Sequence, residues 1–181
     1  MFALLITWTC YGTWLPGDRR GHVSDTFQDD ETVSPKRNVP KTPYSMGDEY
    51  TRQVALRRQK WETVWLKSEQ ASVVARTLVS AAEDRQWRIL RGAVMNNHVH
   101  VVVADCPDDG PAVRRVLKGV SQAALNKHAE HNRRWWTQRG SDRYLNGEGS
   151  VMAAVRYVAK QHGTLASIVD NRWIAASEAS G

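Results

Sequence analysis

The chain has 181 residues, 41% of them hydrophobic, with a formal net charge of +6 and an isoelectric point of about 9.6. That length suits one domain with a sizeable core, and the charge favours a polyanion such as nucleic acid over an acidic substrate. Cys10 and Cys106, neither with a partner at metal-ligand spacing, exclude a disulfide framework or zinc knuckle and suit a reducing cytosol; no apolar run approaches a membrane span.

The opening "MFALLITWTCYGTW" lacks a basic leader and is rich in β-branched and aromatic residues, so it reads as a first strand and not as a signal peptide. "YGTWLPGDRRG" then breaks any regular element with Gly12, Pro16, Gly17 and Gly21. From about 24 to 67 the chain is polar, with three prolines and a possible helix near 50–65; it is predicted to be an insertion carried on the surface of a single domain spanning 1–170. After Ser68, a predicted N-cap, Val73, Val74, Thr77, Leu78 and Ala81 recur at helical spacing to about Arg85.

A strand over 87–95 follows, then "MNNH", whose Asn96 and Asn97 tolerate left-handed backbone angles, and a second strand over His98–Ala104; together they predict a tight antiparallel hairpin. Pro111 opens a helix running to about Ala129. A short strand is expected over 143–145, a last helix over about 150–162, and a loose tail over 171–181. The order strand, helix, strand, strand, helix, strand, helix is that of an α+β, ferredoxin-like split βαβ fold with an antiparallel sheet and one added helix.

Residues two apart in a strand share a face, so His98 and His100 project side by side and can present two imidazoles to one metal ion, or simply be polar positions on a half-buried sheet. On the last helix Tyr157 and Gln161, four apart, share one edge beside the apolar stripe of Val151, Ala154, Val155 and Val158. Between Ala112 and Arg143 eight basic residues face only two acidic ones; Arg114, Arg115, Lys118, Arg133, Arg134 and Arg143 are candidate phosphate contacts. Trp135 and Trp136 beside Arg133 and Arg134 offer either stacking surface for unpaired bases or core, and Trp14, Arg19 and Arg20 either touch nucleic acid or fold their loop.

"NNHVHVVV" resembles the HUH motif, and "YVAKQ" resembles the Tyr-x-x-x-Gln helix of single-tyrosine transposases, in particular the REP-associated and IS200-like ones. "ITWTCYGTWLPGDRRG", "LKGVSQAALNK" and "WWTQRGSDRYL" add to the resemblance in the family's order, whereas 24–67 matches none of it. The resemblance implies a metal-dependent single-stranded DNA endonuclease and strand transferase. In it His98, His100 and Gln161 would hold a divalent ion, Mg²⁺ or Mn²⁺, and Tyr157 would be the nucleophile. It further implies single-stranded or hairpin DNA as partner, no membrane, a cytoplasmic, nucleoid-associated location, and a homodimer where two DNA ends are handled together. The base that removes the phenolic proton is not legible. Two other readings compete: a catalytically silent single-stranded DNA- or RNA-binding module on the same fold, and an unrelated H-x-H hydrolase, for which His22, His128, His131 and His162 supply no further ligand framework.

Overall fold

The structure is a computed structural model and describes residues 2–18, 26–27, 33–34 and 47–175. The chain divides into two compact units, residues 12–63 and the remainder. In the smaller unit lie β2 (Thr26–Phe27) and β3 (Val33–Ser34), which pair antiparallel, and α1 (Glu49–Arg57), capped by the Asp48 carboxylate accepting from Thr51 N–H at 2.7 Å. This unit begins at Gly12 and ends at Thr63.

The larger unit contains β1 (Phe2–Thr9), α2 (Ser68–Glu83), β4 (Arg88–Met95), β5 (His98–Ala104), α3 (Gly110–His128), β6 (Ser141–Asn146), α4 (Glu148–Ala159), β7 (Thr164–Val169) and β8 (Arg172–Ala175). Six strands form one antiparallel sheet in the order β6-β1-β5-β4-β7-β8. The first four of these positions are the ferredoxin-like arrangement, and the fold is α+β as the element order predicts. No helix among the described residues is long and apolar enough to cross a membrane.

Helices cover both faces of the sheet, which is why β5 is apolar on both sides. Leu4, Ile6, Trp8, Val99, Val101 and Val103 meet Val74 and Leu78 of α2 and Val113, Leu117 and Leu125 of α3 in the larger core. The opposite face carries Ala3, Ala93, Val102, Ala104 and Leu145 against Val151, Ala154 and Val158 of α4. His98 and His100 alternate with Val99 and Val101, and so share the α4 face. α3 starts where the Asp109 carboxylate accepts from Ala112 N–H at 2.7 Å, with Pro111 in the first turn.

Several expectations are corrected. Ser68 is the first residue of α2, and Lys67 holds the cap position, its N–H donating to Gln70 Oε1 at 2.9 Å. Asn96 and Asn97 join β4 to β5 without left-handed angles; these occur at Asp170 and Asn171, φ 48° and 56°, in the two-residue turn between β7 and β8. The chain beyond 171 is therefore not loose as far as Ala175, because Arg172–Ala175 is hydrogen-bonded to β7; residues 176–181 lie outside the described residues. The last helix ends at Ala159, since the chain turns back through Gly163, φ 70°, to pair Thr164 with Met95.

Candidate active site

β5 places two imidazoles on one face, with ring centroids 4.8 Å apart. β1 supplies the neighbour that orients the inner one: Thr7 pairs with His100 in register, and its hydroxyl shares a 2.7 Å hydrogen bond with His100 Nδ1. His98 Nδ1 lies 2.6 Å from Asn97 Oδ1, a carbonyl oxygen that accepts, so the ring proton sits on Nδ1 and the lone pair on Nε2. For His100 the tautomer with its lone pair on Nε2 is the one in which Nδ1–H donates to Thr7. Burial, with the charge of His98 as a lesser cause, lowers the His100 pKa to about 4, so this ring is neutral at pH 7.

α4 brings the third group. Its buried stripe, Val151, Ala154 and Val158, seats the helix on the sheet and leaves Tyr157 beside His100, ring centroids 5.3 Å apart at 72°. Tyr157 is 51% exposed, so a large substrate can reach its hydroxyl. Gln161 follows the helix end, and its Nε2 donates to the Tyr157 carbonyl at 3.2 Å. The sequence pattern thus brings His98, His100 and Tyr157 together, while the Gln161 carboxamide is turned back onto its own helix.

Two imidazoles with Nδ1 engaged fit a divalent ion, because the second bond fixes each ring and leaves Nε2 as the ligating atom. Among the described residues no group of three His, Cys, Asp or Glu joins them. An oxygen from Gln161, just beyond the end of α4, could complete a mixed set. Thr7 and Asn97 escape sequence reasoning: Thr7 needs the β1–β5 register, and Asn97 reads only as a turn former.

The predicted phosphate contacts are split between faces. Arg114, Arg115 and Lys118 belong to α3, on the face opposite the histidines. Arg114 is paired with Asp142, and Arg115 is exposed. Lys118 is a strut: its Nζ donates to the carbonyls of Thr137, Gln138 and Arg139 at 2.5, 3.2 and 2.9 Å. Burial, then the charges of Arg114 and Arg134, lowers its pKa to about 8, and the three acceptors hold the ammonium that remains.

Trp135 and Trp136 are both 3% exposed and belong to the larger core, Trp136 edge-on to Trp8 and Trp135 donating from Nε1 to Asn126 Oδ1 at 2.9 Å. Neither is a stacking surface for bases, because a basic neighbourhood does not keep a bicyclic ring out of a core. Arg133 lies over the Trp135 ring at 5.2 Å, and Arg134 is exposed. Arg143 is exposed on β6 and, two residues from Leu145 of the second core, shares the histidine face. Tyr144 takes the other face, where its hydroxyl accepts from Gly110 N–H at 3.1 Å. Trp14 is 41% exposed in the smaller unit, and Arg19 and Arg20 lie outside the described residues.

Fold and site define an antiparallel α+β sheet protein with a strand-borne histidine pair facing a helix-borne tyrosine. Two solved structures are similar to it. The REP-associated tyrosine transposase bound to a REP hairpin has a TM-score of 0.43 and 11% identity, covering 86% of this chain and 63% of that one, so the chain spans less than two thirds of its length. A candidate transposase from Deinococcus radiodurans has a TM-score of 0.41 and 14% identity, covering 91% of this chain and 92% of that one. No family model and no curated protein matches the sequence.

Proposed function

We propose that the protein is a metal-dependent endonuclease and strand transferase acting on single-stranded or hairpin DNA through a 5′-phosphotyrosine intermediate. The observation that carries this reading is the Tyr157 ring set against His100, with His98 beside it on the same strand. A tyrosine packed on a metal-competent histidine pair, half open to solvent, suits attack on a phosphodiester that the same site holds.

His98 and His100 would hold Mg²⁺ or Mn²⁺, with Gln161 as a third, oxygen ligand after its amide turns from the Tyr157 carbonyl. When bound, the ion offsets charge on the non-bridging phosphate oxygens. The Tyr157 hydroxyl gives up its proton to solvent as its oxygen attacks phosphorus, and the bond from phosphorus to the 3′ oxygen breaks. The 3′ oxygen takes up a proton, leaving a free 3′-OH and a 5′ end on tyrosine. A second 3′-OH reverses the step without ATP, since the phosphoester bond is conserved. Arg143, exposed on the same sheet face, would meet a phosphate beside the site. One tyrosine holds one DNA end, so concerted excision of a two-ended element calls for two copies. The DNA itself would be met in the cytoplasm.

Incubation with Mn²⁺ and single-stranded or hairpin oligonucleotides should give a covalent protein–DNA species, and mass spectrometry of its digest should find the nucleotide on the peptide containing Tyr157. Tyr157→Phe should abolish the adduct and retain DNA binding. An adduct on Tyr144, or full cleavage in excess chelator, would overturn the assignment.

A further inference from the structure

Trp65 is 57% exposed although both its neighbours, Val64 and Leu66, are buried in the larger core. The alternation is that of an extended segment with one side chain turned away from the core. Its backbone is pinned at three points. Val64 N–H donates to the Tyr11 carbonyl at 2.9 Å, Leu66 N–H to the Asn96 carbonyl at 2.7 Å, and Lys67 N–H to Gln70 Oε1 at 2.9 Å.

Single exposed apolar residues are common, but a tryptophan turned out to solvent from a pinned backbone offers a large flat surface to a partner. Other exposed aromatics of this unit have one. Trp173 lies under the Arg76 guanidinium at 5.5 Å, Tyr144 accepts from Gly110 N–H, and Tyr157 packs on His100. Among the described residues Trp65 has no ring or cation contact.

Its position indicates what that partner is. The Leu66 bond to Asn96 fixes the segment at the β4–β5 turn, two residues before His98, and Cys10 N–H, donating to the Asn97 carbonyl at 2.7 Å, closes the same end of the sheet. Trp65 thus stands at the end of the sheet from which the histidine pair starts. Lys67, exposed and two residues on, adds a cation there. A flat, exposed ring on a pinned backbone, with an exposed lysine two residues on, suits an unpaired nucleobase with its phosphate, since every base offers a π-face and the phosphate offers the charge.

We infer that Trp65 is a base-stacking platform that, with Lys67, holds one unpaired nucleotide flanking the scissile phosphate at the turn end of the site. This rests on the proposed function and adds a recognition element that neither the HUH pattern nor the Tyr-x-x-x-Gln helix contains. The ring needs no particular base, so the platform would fix the path of the strand and not its sequence.

The test is binding of a fluorescent unpaired oligonucleotide, by anisotropy, to Tyr157→Phe protein, which cannot cleave. Adding Trp65→Ala should weaken binding about tenfold or more, Trp65→Tyr should restore most of it, and the melting temperature should be unchanged because the ring is exposed. In a scan of abasic positions, one position should weaken binding to the parent yet have no effect once Trp65 is alanine. Unchanged affinity of Trp65→Ala, or an abasic profile identical in both proteins, overturns the platform; with the Tyr157 adduct still forming in otherwise wild-type protein, the proposed function survives that result. A parent protein that binds no oligonucleotide overturns both.

Discussion

Burial lowers the His100 pKa to about 4, with His98 adding to the effect, against about 6.5 for a free imidazole. Above pH 6.5 the ring is neutral whether the chain is folded or not, and it has no influence on stability. As pH falls from 6.5 towards 4 the unfolded chain takes up a proton that the folded one refuses, so stability declines over that window and levels off below it. In metal-free protein the decline amounts to about 3 kcal/mol. Urea unfolding at pH 7 and at pH 4.5 in chelator should show wild type losing about that much more than His100→Gln. Identical losses would mean that His100 is not held neutral. The same residue shows how far sequence reaches: period-two alternation is enough to put His98 and His100 on one face, but the Thr7 bond that orients the inner ring depends on a register 93 residues away.

The β7–β8 hairpin is an element that sequence reading passes over, although Asp170–Asn171 between "TLASIV" and "RWIA" carries a hairpin signal as good as Asn96–Asn97. Asn is needed there for two reasons. It accepts a left-handed φ of 56°, and its carboxamide bridges back to β4, Oδ1 accepting from Ile89 N–H at 2.7 Å and Nδ2 donating to the Trp87 carbonyl at 3.2 Å. Asn171→Ala loses both and should cost about 2 kcal/mol, whereas Asn171→Gly keeps the turn, loses only the bridge, and should cost about half as much. Chemical denaturation of the two variants checks the ranking, and equal costs would remove the backbone term. α4 is the opposite case: its apolar stripe is plain in the sequence, yet where it stops is not. Helical spacing alone would stack Gln161 on Tyr157, but the return into β7 takes the chain out of the helix at Ala159. Sequence leaves Trp135 and Trp136 open for a related reason, since composition cannot tell a ring that stacks on bases from one that fills a core.

Across the whole molecule the two faces of the sheet are built unequally. The face under α2 and α3 is packed by Leu4, Ile6, Trp8, Leu78, Leu117, Leu125 and Trp136; the face under α4 relies on alanines and valines, Ala3, Ala93, Ala104, Val151, Ala154 and Val158, with Met95 and Leu145 the larger apolar side chains buried there and His100 the buried polar one among the described residues. Small side chains remove less apolar area from water, so α4 is held by less than either helix opposite. Local opening follows such differences, and elements with thin cores detach well below the global unfolding free energy. Hydrogen exchange should therefore separate the two halves of the site. Amides of Val99–Val103 are expected to exchange only through global unfolding, and those of Val151–Val158 through a sub-global event at least tenfold faster, a gap that would vanish if the molecule opened as one unit. On that expectation the histidines sit on the more firmly held strand and the tyrosine on the less firmly held helix. Under the proposed function, a tyrosine on the more readily opened helix would carry a DNA end away from the histidine pair and bring it back, while the pair itself stays in register.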